Sequence, residues 1–117
     1  MKFSKLMHER TPIEVAVAEL ARIAKHYGPL SRMAEKDVDE DLFHELADRR
    51  RSLALGIAAM TPVGWDDAVE RARALHLVIS DEFYTDCDGS VAALIAACHR
   101  DWERFVDQID KKNLAAA

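Results

Sequence analysis

Four stretches of this chain carry apolar residues at the three- and four-residue spacing of a helix, and two of them follow the same pair, Thr-Pro. Thr11-Pro12-Ile13-Glu14 and Thr61-Pro62-Val63-Gly64 each set a capping hydroxyl before a proline, and a helix's first turn tolerates proline because its amides lack intrahelical acceptors. No segment shows apolar–polar alternation bounded by hairpin turns. The expected fold is therefore all-α, a single domain over residues 1–117 built as an antiparallel bundle of four helices, at about 12–27, 39–59, 62–84 and 88–110. Residues 1–10 and 111–117 are expected to be flexible. Leu114-Ala115-Ala116-Ala117 reads as a vector-derived tail.

In the first helix Thr11 and Glu14 make a capping box, and Ile13, Val17, Leu20, Ala24 and Tyr27 form the stripe. Gly28-Pro29 is expected to end it. The second helix opens on Asp39-Glu40-Asp41, where negative charge meets the positive end of the helix dipole. Its stripe reads Leu42, Leu46, Arg49, Leu53, Ile57 and Met60. The third, capped by Thr61, carries Trp65, Val69, Ala72, His76, Ile79 and Phe83 in alternating steps of four and three, the spacing of a bundle seam. The fourth has the clearest stripe: Val91, Leu94, Ile95, Cys98, Trp102, Phe105, Val106 and Ile109. Arg100, Asp101, Glu103, Arg104 and Asp107 fall on its other side.

Composition narrows the function classes. A net charge of −5 argues against nucleic acid as the partner, since a phosphate backbone calls for a concentrated basic face. The one basic run, Arg49-Arg50-Arg51, points its side chains about 100° apart on a helix and follows a string of acids, so it reads as a charge-paired surface, with Arg49 reaching Glu45. No apolar run reaches the ~20 residues that span a bilayer, and no signal core follows Lys2 and Lys5. Cys87 and Cys98, eleven residues apart and thus ~16 Å apart on a helix, are expected to be free thiols, consistent with a reducing, cytoplasmic setting.

Candidate chemistry is sparse. A carboxylate-bridged metal bundle needs repeated Glu-x-x-His steps, and there are none; Glu40 and His44 share a helix face beside the stripe and read as solvated surface. His76, on the seam, is expected to be a hydrogen-bonded core histidine, and is the one candidate for a ligand or proton switch. Asp86-Cys87-Asp88-Gly89-Ser90 is similar to part of a calcium loop. Aligning Gly89 with that loop's glycine puts Tyr84 and Ile95 where two essential acidic ligands belong, so a turn with an aspartate cap is expected. Cys98 faces the core, and Cys87 sits between two aspartates that raise a thiol's pKa, so neither is a nucleophile. No phosphate loop, Cys-x-x-Cys pair or nucleophile elbow occurs. No cofactor and no metal are expected.

Between Leu53 and Val106 the chain resembles a group of small, uncharacterised, prophage-associated helical proteins of alphaproteobacteria. The likeness rests on an alanine-rich helix ending in Thr61-Pro62-Val63-Gly64, on the following Ala68, Arg71 and Ala72, and on Cys98-His99-Arg100-Asp101 where the group has Ser-x-x-Asp. The group's lysine after the glycine is replaced by arginines 71 and 73. The resemblance implies no activity or cofactor, only a mobile-element protein that acts by binding.

The expectation is a non-enzymatic protein-binding or regulatory module working through an apolar helix face. The ends of the second and third helices are apolar on more than one side, which calls for a cover, either a protein partner or a second copy in a homodimer. Leu55, Trp65, Leu77, Val78 and Trp102 are the candidate contacts. A small-ligand- or metal-binding bundle is the alternative reading, and a nucleic-acid-binding regulator the third.

Overall fold

The computed structural model describes residues 9–31, 39–82 and 89–116. Four helices form the fold, with no strand among the described residues: α1 (Pro12–Ser31), α2 (Glu40–Ala59), α3 (Trp65–Glu82) and α4 (Ser90–Ala116). No described helix is long and apolar enough to cross a membrane.

Local chemistry explains most of the boundaries. Thr11 caps α1 as a reciprocal box: the Glu14 amide donates to the Thr11 hydroxyl at 3.2 Å, and the Thr11 amide donates to the Glu14 carboxylate at 3.2 Å. Asp39 caps α2 by accepting from the Leu42 amide at 3.1 Å. The second Thr-Pro does not open a helix. Gly64 begins α3, its carbonyl accepting from the Asp67 and Ala68 amides, while the Asp67 carboxylate reaches back to the Val63 amide at 2.7 Å. Thr61-Pro62 is instead the link between α2 and α3.

Two helices outrun their expected ends. α1 passes through Gly28-Pro29 to Ser31, because a proline three residues from a C-terminus forfeits a single backbone bond. α4 continues from the expected stop near 110 through Ala116, over Lys, Asn, Leu and Ala with no glycine or proline to break it. Its start falls at Ser90 after Gly89, whose φ of +81° is the left-handed conformation that glycine adopts freely. Asp86, Cys87 and Asp88 of the expected turn, and the seam's Phe83, lie outside the described residues.

The helices pack with α2 and α3 in contact at the centre, α1 against both on one side and α4 against both on the other. Among the described residues α1 and α4 do not touch. Ile13, Val17 and Leu20 of α1, Ala54 and Ile57 of α2, Ala74 and Val78 of α3, and Leu94 and Ala97 of α4 share one core. Its many alanines let the helices approach closely. Side-chain links fix the sense of the inner pairs. Glu19 meets Arg49 and Tyr27 stacks on Phe43; Arg50 meets Val78, and Arg71 meets Ile57. Numbers rise on one helix as they fall on its neighbour, so α1–α2 and α2–α3 each run in opposite directions.

A candidate interaction surface beside a buried arginine clamp

Helix α3 buries two charged side chains among apolar ones. Its buried positions are Asp67, Ala68, Arg71, Ala74 and Val78, and Arg71 is only 1% exposed. The Arg71 guanidinium donates to the carbonyls of Ile57 (3.2 Å), Ala58 (2.9 Å) and Met60 (3.0 Å) at the end of α2. Its Nε lies 3.0 Å from the Asp101 carboxylate of α4, itself buried. Arg100 adds a donor to Ala58 at 3.3 Å. One cation thus closes α2, favoured there by the negative end of the helix dipole, and ties three helices together. A small cleft of about 170 Å³ opens beside it, lined in part by Arg100, Arg104 and Pro62.

Asp67, one turn before Arg71, performs a similar task at the start of α3. It accepts from Val63 and from the Thr11 hydroxyl of α1, so the cap of α1 and the cap of α3 share one carboxylate. Arg50 is a second inward cation: it is buried, donates to the Val78 carbonyl at 3.0 Å, and lies 4.8 Å over the Tyr27 ring.

Burial sets the titration here. Desolvation pushes the Asp101 carboxyl above the usual carboxylate range, against the opposing pull of Arg71, Arg100 and Arg104. Burial, then Asp101, raise the Cys98 thiol in the same way, against Arg71. Cys98 is a free, half-buried thiol held in its unreactive form, as its stripe position suggests.

Because α3 faces inward through Arg71, its apolar seam faces out. Trp65 is 37% exposed, Val69 and Ile79 are each 45% exposed, and Ala72 and His76 are exposed too. The expected seam is real as a stripe but lies about 120° round the helix from Arg71, so His76 is a surface residue and not a core one. On α4 the expected stripe splits: Leu94 and Phe105 are buried as expected, and one edge of it faces out. Ser90, Leu94, Ala97, Asp101 and Phe105 are buried, while Ile95 (51%) and Trp102 (54%) look outward, about 100° round from Asp101.

These two stripes are one surface. Arg71 faces Asp101, and Trp65 and Val69 line the same groove as Gln108, so α3 and α4 run in opposite senses. In such a pair, equal rotations along each chain turn both stripes to the same side. Trp65, Val69 and Ile79 therefore stand beside Ile95 and Trp102 on one outer face. At its α3 N-terminal end the face opens into a groove of about 640 Å³. Four carboxylates, Glu14, Asp66, Asp67 and Glu70, line it together with Trp65 and Val69, and no basic side chain does among the described residues.

No known protein family, curated protein or solved structure matches this chain. The site rests on its geometry alone.

Of the candidate contact residues, Trp65 and Trp102 lie on this face. Leu55 and Leu77 are half-buried and pack elsewhere, and Val78 is a core residue with no exposed surface. The apolar surplus expected at the ends of α2 and α3 is mostly covered by neighbouring helices. On α2, Leu42 and Arg49 are exposed rather than part of the buried stripe, whose place Arg50 takes. Arg49 pairs at 2.9 Å with Glu19 of α1, not with Glu45. With Arg50 inside and Arg49 engaged, the triple arginine is not a basic patch. Among the described residues no three His, Cys, Asp or Glu side chains gather as a metal site.

Sequence reasoning missed Arg71 and Asp101, the two residues that orient the surface. A signal was there. Asp67, Arg71 and Ala74-Leu75 share one helix face, and Gly64-x-x-Asp67 is a capping pattern that places Asp67 inward. Reading apolarity alone gave the opposite phase.

Proposed function

We propose that this chain is a cytoplasmic, non-enzymatic protein-docking module whose working surface is the outer face of α3 and α4. The reading rests on one observation. α3 buries an arginine and an aspartate while leaving Trp65, Val69 and Ile79 in solvent at seam spacing. Burying charge is costly even when it is paired, and exposing a contiguous apolar stripe is costly too. A fold that does both has its best helix–helix seam turned toward something outside itself. Two exposed tryptophans strengthen this, since aromatic side chains dominate the energetics of interfaces.

A photo-cross-linking residue tests the reading. Placed at Ile79 or Ile95, it is expected to capture a protein, a second copy included, where the same residue at exposed Arg22 does not. Absence of any protein adduct at both face positions, in lysate and in the concentrated pure chain, would end the docking reading.

A further inference from the structure

We propose that the occupant of this face is a second copy of the chain, related by a two-fold axis that crosses α3 between Val69 and Ala72. This rests on the docking reading above and names its partner.

Three observations carry it. First, the α3 stripe alternates steps of four and three from Trp65 to Ile79, the spacing that packs one helix along another. Laid antiparallel on itself about that axis, Val69 meets Ala72 of the second copy, and Trp65 meets His76 of the second copy. The small alanine at the centre lets the helices approach, and the indole gains an aromatic neighbour at each end.

Second, the flanking charges are complementary to themselves. The same register brings exposed Arg73 of the second copy beside Asp66, at the groove lined by four carboxylates. Within one copy, Arg73 lies 3.6 Å from Glu70 and is largely in solvent. A two-fold contact is isologous, so this charge pair forms twice. Rim charges of this kind fix register and exclude other alignments.

Third, α4 continues the surface across the same axis. Trp102 follows Asp101, which is level with Arg71 and so with the middle of the α3 stripe. Two-fold symmetry then sets Trp102 of one copy close to Trp102 of the other. The assembly is a four-helix layer of α3, α4 and their copies, which closes and leaves no apolar stripe outside.

Light scattering on the full chain is expected to give twice the chain mass of 13.2 kDa. Arg73→Glu and Asp66→Arg each reverse an exposed charge and are expected to weaken the dimer by about tenfold, since two symmetric pairs turn repulsive. The double reversal D66R/R73E is expected to restore it. In a chain with Cys87→Ser and Cys98→Ala, Trp102→Cys is expected to form an interchain disulfide on mild oxidation, where Val15→Cys does not. A chain of single mass at every concentration overturns the proposal, as does a dimer indifferent to both single reversals. If the chain is monomeric while a cross-linker at Ile79 still captures another protein, only the second copy is lost and the docking reading stands. If neither adduct forms, both fall.

Discussion

The two faces of α3 differ in what they bury: one takes two charged side chains into the core among Ala68, Ala74 and Val78, and the other leaves apolar side chains in solvent. Its inner face centres on Arg71 and Asp67, each 1% exposed, and its outer face carries Trp65, Val69 and Ile79. The inner face shows what a bundle with small, alanine-rich contacts needs at a helix terminus: a long cation that reaches three carbonyls around the end of α2. The outer face shows what the bundle does not need for itself. The lesson is that hydrophobic spacing identifies a seam but not which side of the helix its own domain will use.

Substitutions separate the faces. The largest effect belongs to the inner one: Arg71→Ala leaves Asp101 a buried charge without its partner and strips the end of α2, so a loss of about 3–5 kcal/mol is expected in urea unfolding. A loss under about 1 kcal/mol would mean the clamp is decorative and the faces are not so different. Ile57→Ala, at a fully buried core position that meets the clamp, is expected to cost about 2–4 kcal/mol by the same measurement.

Thr11→Ala removes both the α1 cap and the donor to Asp67, and about 1–2 kcal/mol is expected, at the upper end for a cap because the hydroxyl serves two helices. On the outer face, Val69→Ala is expected to leave the unfolding of the isolated chain within about 0.5 kcal/mol, measured at a dilution where no partner is bound. A larger loss there would place Val69 in the core and sharpen the comparison against us.

The smallest effect is the dependence on pH. Burial holds Asp101's proton to a higher pH in the folded chain than in the unfolded one, so the folded state binds more protons in that window. Referred to Asp101→Asn, the stability of the chain is therefore expected to be greatest below the ordinary carboxylate pKa and to fall as pH rises through the raised one. Paired urea midpoints across mildly acidic pH check the sign; a difference that grows with rising pH would mean that Arg71 outweighs desolvation.

Helix identity was legible from local chemistry. The Thr11–Glu14 box and the Asp39 cap were readable because a capping bond involves residues three apart in sequence, so no tertiary knowledge is required. Thr61-Pro62 shows where that logic stops: the same dipeptide lost its cap role because Gly64 and Asp67, three residues further on, offered the α3 amides a better start. The candidate surface was half legible. Trp65 and Trp102 were named as contacts, but Val78 was misplaced to the surface and His76 to the interior, both through the rotation of α3.

By itself the sequence determined that four helices form, roughly where each begins, and which residues make an apolar stripe on each, because capping and periodicity act over one or two turns. Only the tertiary structure decided how α3 and α4 are rotated. That choice was made by carbonyls at the end of α2, distant in sequence, which needed donors and found them in Arg71 and Arg100. Once the arginine turned inward to satisfy them, the tryptophans had to turn out.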